Sequence, residues 1–215
     1  MNDVCREIAV SIDAANEGRS MIPKAVWSDL SKMGGPGGRD DCQFGWHHWV
    51  GTHFSHSTML DVGAGLGHSR ERLAAGANEV VLQDPAPGMP VDTCDDVATF
   101  APRSFEVVTA FDVIEHVLDD RAFLRQLCRI ARRAVVITTP NYDVSHAANP
   151  YHVREYSPSE FLELLAGHTI GLLMVGNSNG TERVTLSDDE FAKHTLPHQA
   201  AMLTIPGTDS RLAIP

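Results

Sequence analysis

Three glycines alternate in Leu60-Asp61-Val62-Gly63-Ala64-Gly65-Leu66-Gly67, and this segment is the one best suited to chemistry. Residues without a Cβ take positive φ at little cost and let a ligand approach the main chain closely. Thr58 to Val62 reads as a strand and His68 to Ala75 as a helix, so the helix N-terminus would face a nucleoside-bearing ligand. A dinucleotide site needs glycine at the sixth position of G-x-G-x-x-G, and here that position is His68. The alternative without a ligand is a tight strand-to-helix connection.

The G-x-G-x-G spacing resembles the first motif of the class I S-adenosylmethionine-dependent methyltransferases, of the type 11/23-like kind. Val80-Val81-Leu82-Gln83-Asp84 supplies the next match, a strand ending in a carboxylate that can accept hydrogen bonds from both ribose hydroxyls. Ser104 to Val117 resembles the family's fourth strand and the loop after it. The resemblance covers Thr58 to about Leu165, about half the chain. It implies a cofactor site made of Asp61, Gly63, Ala64, Gly65, Gly67, Asp84 and Phe111. Asp95, with Asp96 beside it, stands where the family receives the adenine amino group.

Methyl transfer is a single displacement, so an enzyme of this kind aligns the nucleophile and removes its proton. His116, just after the fourth family strand, and His152, in a long loop after the fifth, are the candidate bases or substrate-positioning groups. Each could equally shape its loop by hydrogen bonds alone. Asp112, Glu115, His116 and His152 also resemble the metal-binding constellation of two groups, the ubiquinone-biosynthesis O-methyltransferases and the small-RNA 3′-terminal ribose methyltransferases. Ligands of that mix suit magnesium, manganese or zinc. Asp112 stands where those groups have Glu, and the reading without metal is preferred. His47, His48, His53 and His56 lack ligand spacing and are read as packing or lid residues, with Phe44, Trp46, Trp49 and Phe54 closing over the cofactor or an apolar substrate.

These residues need a scaffold, and the chain alternates strand and helix to provide one. The strands are Thr58 to Val62, Glu79 to Gln83, Phe105 to Phe111 and Ala134 to Thr139, with a helix from Asp119 to Arg133. That rhythm requires crossover connections and gives a parallel sheet covered on both faces. Ser157-Pro158-Ser159-Glu160 caps a helix to about Gly167, followed by a strand from Thr169 to Gly176 and a returning strand from Glu182 to Leu186. The fold expected is α/β, a Rossmann-like doubly wound, seven-stranded, mostly parallel sheet with an antiparallel last strand. One domain spans 1–215. Residues 1–57 form an N-terminal helical cap and lid, with two short helices over about 2–33 and a flexible glycine loop at 34–38. Residues 58–187 form the core and 188–215 a C-terminal extension, with a helix near Asp189 to His194 and then a tail.

Bulk properties narrow the function. The 215 residues carry 17 Lys and Arg against 28 Asp and Glu, a net charge of -11, which repels phosphate backbones and makes nucleic acid an unexpected partner. Cys5, Cys42, Cys94 and Cys128 form no CxxC pair and read as reduced, mostly buried thiols. No window is apolar enough for a membrane span and no leader pattern opens the chain, so a cytoplasmic protein is expected. The leading expectation is an S-adenosylmethionine-dependent transfer of methyl to O or N of a small-molecule acceptor. The alternatives are a metal-assisted RNA 3′-end or other macromolecular methyltransferase, and a binding module that holds S-adenosylmethionine without turnover.

Overall fold

The computed structural model describes residues 43–86, 88–147, 149 and 152–207. The two helices expected over 2–33 and the glycine loop at 34–38 lie outside the described residues.

Strands β1 (Thr58–Val62), β2 (Glu79–Gln83), β3 (Phe105–Phe111), β4 (Ala131–Pro140), β5 (Thr169–Gly176), β6 (Arg183–Leu186) and β7 (His198–Thr204) form one sheet in the order β2-β1-β3-β4-β7-β5-β6. β1, β2, β3 and β4 pair in parallel. β7 is antiparallel to both β4 and β5, and β6 is antiparallel to β5. The helices are α1 (Phe44–His53), α2 (Arg70–Ala74), α3 (Asp120–Ile130), α4 (Tyr142–Ser145), α5 (Pro158–Leu165) and α6 (Asp188–Phe191), with a 3-10 turn over Ile114–His116.

The sheet is buried on both faces, and consecutive side chains divide between two cores. Leu60, Val108, Val135, Ile137 and Ala201 pack with Leu124 and Leu127 of α3 and Phe161 of α5. Met59, Val107, Val136, Ala200 and Met202 pack on the other face with Trp46, Val50 and Phe54 of α1 and Leu73 of α2. Among the described residues, no helix is long and apolar enough to cross a membrane.

The expected sheet is present, with two differences in its elements. Residues 198–204 form β7 inside the sheet, between β4 and β5, so they belong to the core and not to an extension. β4 starts at Ala131, three residues earlier than expected, because α3 stops at Ile130. Between β2 and β3 the chain makes only a single parallel bridge, Gln83 to Thr93, where a further strand would fit. Asp92 fills part of that gap: its carboxylate accepts from Leu82 N at 2.8 Å and its own amide donates to Leu82 O at 3.0 Å. The cap of α5 is as expected, a reciprocal Ser157/Glu160 capping box with Pro158 at the start.

Candidate active site

The carboxyl ends of β1, β2, β3 and β4 lie on one edge of the sheet, and antiparallel β7 begins there, with His198 opposite Pro140. Two groups of side chains share this edge.

The first is a cleft lined by Asp61, Val62, Gly63, Ala64, Gly65, Leu66, His68, Ser69 and Phe111, closed on one side by Gln43, Phe44 and His47. Gly63, Gly65 and Gly67 all have positive φ (70°, 54° and 74°). A Cβ on Gly63 would lie 2.5 Å from Val113 Cγ2, whereas one on Gly65 would meet nothing within 4 Å, so Gly65 leaves an open approach to the main chain. The helix expected from His68 begins at Arg70 and has five residues. The loop amides are spent on β2 and on the loop itself. Gly65 N donates to Asp84 Oδ2 at 2.9 Å, Ala64 N to Gln83 O at 2.9 Å, and Gly67 N to Ala64 O at 2.9 Å. The cleft therefore presents glycine surface, one carboxylate and an aromatic wall, which suits a cationic nucleoside derivative better than a phosphate.

That carboxylate is Asp61. Thr109 Oγ1 donates to its Oδ1 at 2.6 Å, and His47 Nε2 stands 3.5 Å from its Oδ2. Burial works against its charge, but His47 beside it and the hydrogen bond from Thr109 hold its pKa below the usual carboxylate range. Asp84 lies behind the loop, accepting from Gly65 N and, through Oδ1, from Ala86 N at 2.8 Å. Asp95 and Asp96 are exposed. Asp96 Oδ1 caps the turn at Val97–Thr99 by accepting from Ala98 N, and Asp95 O accepts from Gln83 Nε2 at 2.8 Å.

The second group joins segments far apart in the chain. Glu115 O accepts from Val153 N at 2.7 Å and Arg154 N at 3.1 Å, which draws the long loop onto the 3-10 turn. Glu115, His116 and His152 consequently offer ligand atoms within 4.8 Å of one another. The His116 and His152 rings meet edge to face at 4.8 Å. His152 Nδ1 donates to Glu155 in a short contact, and Asn149 Nδ2 donates to His152 Nε2 at 2.8 Å. Burial opposes the charge of Glu155, yet His152, Ser145 and Ala147 N hold its pKa below the usual range. Glu115 is fully buried, and Thr139 Oγ1 donates to its Oε2 at 3.1 Å.

Asp112, expected as a fourth member, is not in this group. It takes a left-handed conformation (φ 51°), accepts from Thr138 Oγ1 at 2.9 Å and pairs with His198 Nε2 at 3.0 Å. Burial opposes charging His198, but Asp112 beside it, with Glu155 adding, raises its pKa above the ordinary imidazole value. His198 Nδ1 is buried with no hydrogen-bond partner among the described residues. His198 carries no sequence signal, since it opens a strand, β7, within the segment expected as a C-terminal extension. Cys94 is exposed and Cys128 half-buried, so the buried-thiol expectation fails for Cys94, and burial pushes the Cys128 thiol up to about 11.

A family model described as a methyltransferase domain matches residues 44–174. The ubiquinone biosynthesis O-methyltransferase of Methylobacterium sp. (strain 4-46) is 35% identical over 92 residues, covering 35% of this chain and 36% of that protein. A probable S-adenosylmethionine-dependent methyltransferase of Mycobacterium tuberculosis is 28% identical over 126 residues, covering 50% of this chain and 46% of its own length. The matched segments thus span less than half of each of these two relatives. The structure of the plantazolicin methyltransferase BpumL in complex with S-adenosylhomocysteine has the same fold, with a TM-score of 0.61 at 13% identity over 94% of this chain and 98% of that one. A cleft with an open glycine approach and a single buried carboxylate, on a sheet of this topology and within residues that match the family model, leads to one conclusion: the chain belongs to the methyltransferase domain family, as a class I S-adenosylmethionine-dependent methyltransferase.

Proposed function

We propose that the chain transfers the methyl group of S-adenosylmethionine to an oxygen or nitrogen of a small-molecule acceptor. The observation that carries this reading is the shared edge: the cleft and the His116/His152 group both sit at the carboxyl ends of the strands, joined by Val113 packed against Gly63. When bound, the cofactor supplies an electrophilic methyl on a positively charged sulfur.

The protein's own part is orientation and proton handling. Gly63, Ala64, Gly65 and Gly67 leave main chain exposed to the cofactor, and Phe111 and Asp61 bound its path. Asp84 uses one lone pair of each oxygen on the loop, and the second is free by valence to receive ribose hydroxyls. Asp95 and Asp96 stand at the adenine end. On the acceptor side, Glu155 fixes the His152 tautomer with the proton on Nδ1, so Nε2 is the basic atom; Asn149 occupies it until an acceptor proton replaces that bond. His116, edge-on to His152, positions the acceptor. Exposed Leu118, Tyr142, Val144 and Leu196 lie on segments flanking this edge and favour an acceptor with an apolar body.

The test is incubation with methyl-tritiated S-adenosylmethionine and a panel of phenols, catechols, carboxylic acids and amines, with a short RNA as comparison. Labelled small-molecule product and stoichiometric S-adenosylhomocysteine are expected. Label entering only the RNA, or cofactor binding without any product, overturns the reading.

The 4.8 Å grouping of Glu115, His116 and His152 favours one second reading, transfer assisted by a divalent metal at those ligands. Against it, Asp112 is turned to His198, and both His152 ring nitrogens are engaged within the loop. Turnover unchanged in excess EDTA, with no metal found by elemental analysis, removes it.

A further inference from the structure

The first turn of α1 is not started by its own sequence. Gln43 stands at the N-cap position with a left-handed backbone (φ 70°), its side chain makes no capping bond, and no acidic residue follows in the first turn. The open amides of a helix N-terminus need acceptors, and here one comes from another element: Gly45 N donates to Asn179 O, in the turn between β5 and β6, at 2.6 Å. Arg183, the first residue of β6, spans the same junction, its Nη1 donating to Gly180 O at 2.6 Å and to Gly45 O at 3.5 Å. Two glycines allow the approach. A Cβ on Gly45 would lie 2.4 Å from Gly180 C, and one on Gly180, at φ 72°, would lie 2.6 Å from Trp46 N.

The turn that supplies this cap is closed by its own hydrogen bonds. Asn177 Oδ1 accepts from Glu182 N at 3.2 Å, Asn179 Oδ1 accepts from Thr181 N at 3.0 Å, and Gly180 N donates to Asn177 O at 3.0 Å. Gln43, Phe44 and His47 line the glycine cleft, whereas Gly45 and Trp46 meet the turn, so the start of α1 has the cleft on one side and the hairpin on the other. In sheet order three strands, β3, β4 and β7, separate β1, which ends in the glycine loop, from β5. We propose that the β5–β6 turn and Arg183 are positioning groups for the cofactor: they cap and clasp the first turn of α1 from behind, and so set how tightly Gln43, Phe44 and His47 close on S-adenosylmethionine. The inference rests on the reading of the cleft as an S-adenosylmethionine site. Neither Arg183 nor the turn lines the cleft, so their effect passes through α1.

The consequence is a reciprocal coupling across the sheet. Binding that holds the first turn of α1 against the glycine loop also holds Gly45 N on Asn179 O, so amides of the β5–β6 turn exchange more slowly when the cleft is filled. Loosening the clasp in turn weakens binding. It does so chiefly by speeding dissociation, because the wall made by residues 61–69 and Phe111 stays in place.

Hydrogen exchange and calorimetric titration with S-adenosylhomocysteine test this on the full chain. In the wild type, saturating S-adenosylhomocysteine should slow exchange at 177–183 by about threefold or more, as well as at 43–47, and leave α5 unchanged. Arg183→Gln should bind S-adenosylhomocysteine about tenfold more weakly and speed exchange at 44–47. Arg183→Lys, which keeps one charged donor for Gly180 O, should fall between the two. Gly171→Ala strains the same strand, β5, since its Cβ would lie 2.7 Å from Met202 Cε, but it does not touch α1. It should lower the urea midpoint and still bind S-adenosylhomocysteine within about twofold of wild type. Protection in the wild type that stops at the cleft and 43–47 overturns the proposal while leaving the methyltransferase reading intact. So does wild-type affinity in Arg183→Gln, or an equal loss in Gly171→Ala. If the wild-type chain does not bind S-adenosylhomocysteine, both readings fall. The exchange comparison on the wild-type chain decides the matter even where a variant does not fold.

Discussion

The glycine cleft and the His116/His152 group occupy the same sheet edge but are built differently. The glycine loop is continuous: Asp61, Gly63, Gly65 and Gly67 fall within one strand-to-loop segment, and a single further strand end brings Asp84 to the amide of Gly65. The proposed acceptor side draws on the 3-10 turn at Ile114–His116, the end of β4, the loop around His152 and the first residue of β7, which meet only through the tertiary fold. A site made by local backbone conformation is sensitive to one residue's φ. A site made by convergence depends on buried pairs holding distant segments together.

The largest effect expected from that contrast is at Gly63. Gly63→Val places a β-branched residue at φ 70° with its Cβ 2.5 Å from Val113 Cγ2. Strain and overpacking together should cost about 3–5 kcal/mol in urea unfolding and abolish cofactor binding. Gly65→Ala separates fold from function, since its Cβ meets nothing within 4 Å. It should cost only about 1–2 kcal/mol of backbone strain yet weaken cofactor binding, because the methyl stands in the approach. Equal losses of stability in the two variants would break the distinction.

Next in size is the Asp112–His198 pair, the tie between β3 and β7. Asn tolerates the left-handed φ of Asp112, so Asp112→Asn isolates the charge. It should destabilise by about 2–3 kcal/mol at pH 6. His198 has a folded pKa above its unfolded value. The pair's contribution is therefore complete below about pH 6.5 and is lost as pH rises through the raised folded value. Urea midpoints of wild type and variant should converge toward alkaline pH, and a constant gap would show that the charge is not what ties the strands.

These two regions also explain what was legible in the sequence. The glycine loop, Asp84 and the capping box at Ser157 each declare themselves within a few residues, because local conformation demands particular residue types. β7 did not. Its sequence His198-Gln199-Ala200-Ala201-Met202-Leu203-Thr204 is buried on both faces between β4 and β5, so it shows no polar alternation, and two alanines dilute its apolar run. His198 went unseen with it. The resemblance to a metal-binding constellation groups Asp112 with Glu115 and His116, whereas its left-handed backbone and the arrival of β7 turn it to a different histidine.

A smaller effect is expected where His152 meets Glu155. Glu155 has a folded pKa below its unfolded value. Its contribution is present above about pH 4.3 and is lost as pH falls through the folded value. Glu155→Gln should cost about 1–2 kcal/mol at neutral pH, with the penalty vanishing in acid. Because Glu155 also accepts from Ser145 and Ala147 N, the variant should speed hydrogen exchange in 142–155 and raise the acceptor KM without changing cofactor affinity. A change in cofactor affinity instead would mean that the two sides are not separately built.

The smallest effect lies on the cofactor side, at the segment that stands in for a strand beside β2. Arg70 and Asp92 form an ion pair at 2.7 Å, but both side chains are 44% exposed, so Arg70→Ala should cost no more than about 0.5 kcal/mol and less in high salt. Asp92→Ala removes an acceptor from Leu82 N and should cost about 1 kcal/mol, because a strand-edge amide then depends on water. That order says the 91–93 segment is held to β2 by backbone pairing, with Asp92 as a side-chain substitute for a missing carbonyl. If Arg70→Ala costs as much as Asp92→Ala, the ion pair holds the segment. The path from β2 through Gln83 to Asp95 would then soften with salt, and cofactor affinity would fall as ionic strength rises.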